Sequence, residues 1–258
     1  MRASPPQWIE PERAEDARLA VDLIPPAKRP SRLWFFIPGL NSHRRGEKSL
    51  YFARQVARKG EAFASLDLTG HGESGGSLRE LSLTRNLRDV ERGLRYVDAA
   101  IGPFSSTVLV GSSMGGLAAL WYAARHPDRI TTNVTLAPAF EMAGRLLLAL
   151  GRDKARKWRE EGVTRMKADH AEFDLGYGFV QDESHYPTAS LMKALLTPTL
   201  ILHGTEDDVV PCQLSVNFAR RSEVVTLILV EGGDHRLTAH KEKLFEQMWS
   251  FVDRHQVG

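Results

Sequence analysis

One serine, one histidine and a cluster of three carboxylates carry the chemistry this sequence offers. Ser113 stands in Gly111-Ser112-Ser113-Met114-Gly115, a fit to G-x-S-x-G. The run 106–110 before it is β-branched and apolar, and Gly116-Leu117-Ala118-Ala119-Leu120 after it reads as a helix start. A serine on so sharp a strand-to-helix turn has a strained backbone, and side chains two residues away on either side would collide there. Glycine at 111 and 115 removes those collisions. Ser113 is then held proud of the strand ends, with a helix N-terminus beneath it that favours developing negative charge. Ser112, at the variable position, is expected to point away.

A serine hydroxyl is a poor nucleophile at neutral pH and needs a base held by a third group. Of the nine histidines, His235 alone sits on a loop directly after the last strand pattern and before a terminal helix. His203 ends a strand and is expected to make structural hydrogen bonds, while His71 lies in Gly70-His71-Gly72 on another exit loop. The acid comes from Glu206, Asp207 and Asp208, three consecutive carboxylates in a turn after a buried strand. Any of them would hold His235 in the tautomer that leaves its distal nitrogen free for the serine proton, and chemistry alone does not choose. Cys212, the single cysteine, reads as a small residue near the core after Pro211 rather than as a second nucleophile.

These groups need a scaffold that brings loops together. Short apolar runs at 33–37, 62–66, 107–110, 131–136, 199–202 and 224–230 alternate with helical patterns such as Leu87, Val90, Leu94 and Val97. That alternation is the pattern of parallel strands connected through helices, and strands apolar nearly throughout are buried on both faces. Gly39, Gly70, Gly111, Gly204 and Gly232 each fall at or just beyond a strand's carboxyl end, the edge at which open α/β sheets bind ligands.

The 258 residues, 42% hydrophobic, suit a single domain with a sizeable core. With 34 basic against 32 acidic residues the net charge is +2, which argues against a general nucleic-acid binder. One cysteine permits no internal disulfide. The stretch 1–30 mixes prolines with Glu10, Glu12, Glu15 and Asp16, unlike a signal or transit peptide, and no apolar run reaches a membrane span. A cytoplasmic protein is the resulting expectation.

Taken together, the chain resembles the α/β-hydrolase superfamily over nearly its whole length. Three motifs carry the likeness: Gly111 to Gly116, His203-Gly204-Thr205-Glu206-Asp207-Asp208-Val209-Val210-Pro211, and Gly233-Asp234-His235. The resemblance implies the α/β-hydrolase fold, a mostly parallel sheet flanked by helices. It also selects Asp207 as the acid, four residues after His203. It makes Asp67-Leu68-Thr69-Gly70-His71-Gly72-Glu73-Ser74 a structural loop at the rim. Where many relatives carry His-Gly before the oxyanion turn, this chain has Pro38-Gly39. The donor needed is a backbone N–H, so the oxyanion hole is expected from the amides of Leu40 and Met114. Asn41 is open between a side-chain donor and a turn residue. The wording around Ile37, Ser113 and His235 is similar to a branch with acyl-protein thioesterases and acyl-glucuronide esterases.

The expected reaction is hydrolysis of a small-molecule carboxylic ester or thioester through an acyl-enzyme on Ser113, with no metal or organic cofactor. The same three residues would also serve a lactonase, peptidase or carbon–carbon hydrolase, and the fold also serves non-catalytic binding proteins. Oligomeric state is not legible. Residues 140–187 break the alternation: helices are expected at 142–150 and 153–161, followed by 163–180 with no clear period. An insertion of that size between sheet strands is expected to cap the catalytic edge, the alternative being an ordinary long crossover. Its basic residues, among them Arg145, Arg152, Arg156 and Arg159, would draw in anions while its leucines line an acyl pocket, and the solvated face of an amphipathic helix accounts for the charges at least as well.

Overall fold

The computed structural model describes residues 7–29, 31–168 and 171–255. Residues 1–6 and Pro30 of the amino-terminal stretch, and Asp169 and His170 of the 140–187 segment, lie outside the described residues. The chain opens with β1 (Gln7–Ile9) and β2 (Leu19–Ile24), followed by β3 (Arg32–Ile37), in which all six residues are buried. Leu33, Phe35 and Ile37 of β3 pack on one face of the sheet, and Trp34 and Phe36 on the other. Successive side chains of a strand point to opposite sides, so a strand covered on both faces runs apolar on both, as Leu33 to Ile37 do.

β4 (Ala62–Leu66), β5 (Ser106–Ser112), β6 (Thr132–Leu136) and β9 (Thr199–Gly204) are likewise buried almost throughout, with Thr132, Asn133 and Thr135 of β6 buried among the apolar residues. With β10 (Val225–Val230) they form an eight-stranded sheet in the order β1-β2-β4-β3-β5-β6-β9-β10. The pairs β1–β2 and β2–β4 are antiparallel and the remainder parallel. Register brings the carboxyl ends level: Ile37 lies opposite Gly111, Ser112 opposite Leu136, Leu136 opposite Leu202 and Gly204 opposite Val230. Loops distant in sequence therefore leave the sheet side by side.

Helices cover both faces. The apolar stripes of α2 (Leu83–Ile101) and α3 (Met114–Arg125) join one core, through Val90, Leu94 and Leu120 among others. α1 (Glu47–Arg58) and the last helix, Lys241–Arg254, join the other, through Phe52, Val56, Met248 and Phe251. No described helix is long and apolar enough to cross a membrane.

Between β6 and β9 the chain builds a small cap subdomain: α4 (Met142–Glu161), β7 (Val163–Ala168), β8 (Ala171–Gly176), α5 (Gly178–Glu183) and α6 (Thr188–Ala194). The two expected helices of this region run together, with a non-helical Gly151 (φ 74°, ψ 167°) bending α4 between them. The aperiodic stretch after them proves to be an antiparallel hairpin, β7 with β8. Its register sets Arg165 opposite Asp174 and Lys167 opposite Glu172, and Arg165 hydrogen-bonds Asp174 at 3.1 Å. Cross-strand pairs of this kind stabilise a hairpin without leaving a periodic signal along either strand. Trp158 of α4, fully buried, donates from Nε1 to the Leu175 carbonyl at 3.0 Å and locks the hairpin onto the helix. β1 and β2 also escape the sequence reading; the first is three residues long and the second is interrupted by Asp22.

Candidate active site

At the end of β5 the chain turns into α3 within one residue, Ser113 (φ 53°, ψ −117°), whose backbone lies where L-residues are rarely found. The turn is held by two backbone bonds: the Ser113 amide donates to the Leu136 carbonyl at 2.8 Å, and the Ala139 amide to the Ser113 carbonyl at 3.1 Å. Its glycines are there for contact. A Cβ on Gly111 would stand 2.2 Å from the Gly115 carbonyl oxygen, and one on Gly115 would stand 2.3 Å from that of Ile37. The turn following β3 is pressed against the same place, with the Gly39 Cβ position 3.1 Å from Ser113 Cβ. The backbone of Leu40 thus follows a residue in contact with Ser113, and Met114 opens α3 directly after it. Asn41 sits in the next turn with φ 55° and an exposed side chain.

Ser113 Oγ lies 2.9 Å from His235 Nε2, and His235 Nδ1 lies 2.8 Å from Asp207 Oδ2. His235 is carried by the loop after β10, which meets the end of β9 so closely that a Cβ on Gly204 would sit 2.0 Å from the Gly233 carbonyl oxygen. Glu206 and Asp208, the neighbours of Asp207, are exposed. The carboxylate of Asp207 is buried and fully engaged: Oδ1 accepts the Val209 and Val210 amides at 2.9 and 2.7 Å, and Oδ2 accepts both His235 and His203. Burial alone would raise this carboxyl, but hydrogen bonds from His203, His235 and the Val210 amide outweigh it and hold Asp207 well below the usual carboxylate range.

The rival histidines are occupied elsewhere. His203 Nε2 stands between Asp207 Oδ2 (3.0 Å) and the Val210 carbonyl (2.9 Å), both acceptors, so it carries the proton, and Nδ1 accepts from Ser215 Oγ at 2.7 Å. His71 Nδ1 donates to the Thr69 carbonyl at 3.0 Å. The loop 67–74 is tied by its own residues: Asp67 Oδ2 accepts the Glu73 amide at 3.0 Å and the Arg44 guanidinium, and Ser74 Oγ donates to the Asp67 carbonyl at 2.7 Å.

One residue that sequence reasoning passed over joins both halves of the site. Lys48 of α1 donates from Nζ to Ser112 Oγ at 3.0 Å and to the carbonyl of Arg236, next to His235. Ser112 is thereby engaged by Lys48, and it is Ser113 that meets the histidine. Burial, against the attraction of Asp234, pushes the Lys48 ammonium down to about 8. A lysine 64 and 188 residues from its partners leaves no motif behind.

The family model described as serine aminopeptidase, S33 matches residues 28–175, more than half of the chain. The mouse protein named mitochondrial palmitoyl-protein thioesterase ABHD10 is 30% identical over 213 residues, covering 81% of this chain and 69% of that protein. The solved structure of mouse alpha/beta hydrolase domain-containing protein 10 superposes with a TM-score of 0.82 at 27% identity, over 98% of this chain and all of that one. Est1E from Butyrivibrio proteoclasticus, solved with ferulic acid bound, shares the fold with a TM-score of 0.80 at 24% identity, over 96% of this chain and 99% of that one. The cytoplasmic expectation is corrected here, because the ABHD10 relatives are named as mitochondrial. The acidic residues on which it leaned are fastened into the folded domain: Asp16 pairs with Arg88, Glu10 with Arg18 and Glu12 with Arg95. They report on folding and not on compartment. Sequence, fold and the meeting of a serine, a histidine and a carboxylate at one sheet edge place the chain in the family of that model, among the α/β-hydrolase-fold serine hydrolases related to ABHD10.

Proposed function

We propose that this protein hydrolyses carboxylic esters or thioesters through an acyl-enzyme on Ser113. The observation that carries the reading is the continuous hydrogen-bonded line from Ser113 Oγ through both ring nitrogens of His235 to Asp207 Oδ2, at 2.9 and 2.8 Å. In this reading His235 takes the hydroxyl proton as Ser113 attacks the acyl carbonyl, and Asp207 holds the ring and offsets its positive charge. The oxyanion rests on the backbone amides of Leu40 and Met114, donors whose placement requires no reorganisation during the reaction. The protonated His235 then passes its proton to the departing alcohol or thiol. Water, activated by the same ring, releases the acid. Residues 140–187 cover the site in this reading.

A thioesterase is among the similar proteins, and a hydrolysable thioester asks for nothing beyond these groups. Peptide cleavage is the second reading, raised by the description of the matching family model. An aminopeptidase has to seat a free ammonium group, for which carboxylates are suited. The hollow along α4 is instead lined by Arg145, Arg152, Arg156 and Arg159, with Glu141 as its acid, a charge balance unsuited to an ammonium group.

The test is labelling by a fluorophosphonate probe together with turnover of a panel of acyl esters and thioesters of increasing chain length. The expectation is labelling and turnover that both vanish in Ser113→Ala. Labelling without turnover of any acyl substrate would move the activity to another bond. No labelling of a folded protein would leave a non-catalytic binding role.

A further inference from the structure

The helix α4 bends at Gly151, and residues of its two halves line an open hollow of roughly 740 Å³. Four guanidinium groups line it, Arg145, Arg152, Arg156 and Arg159, together with Leu147 and Leu148. Surface helices ordinarily alternate charges so that neighbours neutralise each other, and here four arginines meet one lining acid, Glu141. Asp153 approaches Arg156 at 3.5 Å, but both side chains are largely exposed, so solvent screens the pair. Arg145 is held by neutral acceptors, the Phe140 carbonyl at 3.2 Å and the Val209 carbonyl at 2.8 Å. Burial, against the attraction of Asp207, lowers its affinity for its proton. Leu148 is 83% exposed among these charges, an apolar surface left in water.

The hollow also adjoins the catalytic loops. Phe140 follows Ala139, whose amide binds the Ser113 carbonyl, and Val209 donates its own amide to Asp207 Oδ1. Arg145 therefore joins the loop behind the serine to the loop that carries the acid.

We propose that this hollow is an anion subsite for substrate. It receives a carboxylate or phosphate lying remote from the scissile carbonyl, with Leu147 and Leu148 against the intervening methylenes. The proposal rests on the hydrolase reading above and narrows it to esters or thioesters bearing a second, anionic group. Guanidinium forks suit both anions, since each offers two oxygens in one plane. Arginines lining a concave surface suit a single small group, whereas a flat anionic membrane would meet only those at the rim.

The experiment compares two esters of equal chain length, 4-nitrophenyl octanoate and the 4-nitrophenyl monoester of octanedioic acid. The anionic ester is expected to have a kcat/KM about tenfold higher at low salt, and the ratio should decay as ionic strength rises. In Arg152→Glu/Arg159→Glu the ratio should collapse to one or below. Equal kcat/KM with equal salt response would overturn the subsite. A separate arm needs no turnover: octanedioate is titrated calorimetrically into Ser113→Ala with and without the double charge reversal. Binding that the reversal abolishes supports the subsite even if neither ester is cleaved, in which case only the hydrolase reading fails. Sedimentation with phosphatidylglycerol vesicles, lost on reversal while octanedioate does not bind, would assign the arginines to a membrane surface and overturn the proposal.

Discussion

His203 and His235 both donate to the same oxygen of Asp207, at 3.0 and 2.8 Å, one from the strand end four residues before the acid and the other from the loop after β10. The other oxygen is taken by two backbone amides, so the carboxylate has four donors and no freedom to rotate. Its orientation towards His235 is set before any substrate arrives, which is what an orienting acid requires.

Asp207→Asn is expected to lower kcat by about 10⁴, because an amide facing Nδ1 favours the wrong histidine tautomer. Asp208→Asn, at an exposed neighbour, should stay within about twofold. Steady-state kinetics on one activated ester checks both. A larger loss at Asp208 would place the acid one residue further on.

Stability should depend on Asp207 in acid. Its folded-state pKa lies below the unfolded value, roughly 3.9, so the folded protein keeps the carboxylate ionised where the unfolded chain takes up a proton. The stabilisation is complete above that unfolded value and is lost as pH falls below it. Urea unfolding of the wild type and Asp207→Asn across acid pH should give midpoints that differ near neutrality and converge in acid. A constant gap would mean that the carboxylate's charge does not matter.

Lys48→Met is expected to lower kcat about 10- to 100-fold with little change in KM, since it frees the loop behind His235 from the serine turn without touching substrate. Lys48→Arg should recover part of the loss. The ammonium also loses its proton near pH 8 in the folded state but near 10.4 in the unfolded chain. Burying the charge therefore costs stability in full below about pH 8, and the cost is relieved as pH rises towards 10.4. The unfolding free energy of the wild type relative to Lys48→Met should rise across that window. A KM effect alone would make Lys48 a substrate contact instead.

Glu183 accepts the Ala143 amide at 2.7 Å, placing a carboxylate at the amino-terminal turn of α4 and fixing the start of the cap. Glu183→Ala should destabilise by about 1 kcal/mol, the usual cost of an uncapped helix start. It should also raise KM for long-chain esters more than for acetate. Thermal denaturation and a chain-length series read the two effects. An unchanged Tm would show that α4 holds itself.

The sheet strands and the turn at Ser113 were legible in the sequence because their causes are local. Burial on two faces writes an unbroken apolar run, and a one-residue turn between strand and helix writes glycines at 111 and 115. His235 was legible by its place after the last strand. Residue types alone could not say which of Glu206, Asp207 and Asp208 faces the histidine. That choice is made by amides at 209 and 210 and by the ring of His203, groups arranged only once β9 and β10 lie in register. The cap hairpin, the Lys48 bridge and the hollow at the bend of α4 were likewise decided in three dimensions. Each depends on partners across strands, across 188 residues or across a bend at Gly151, and a contact of that kind constrains space without imposing a period on the chain.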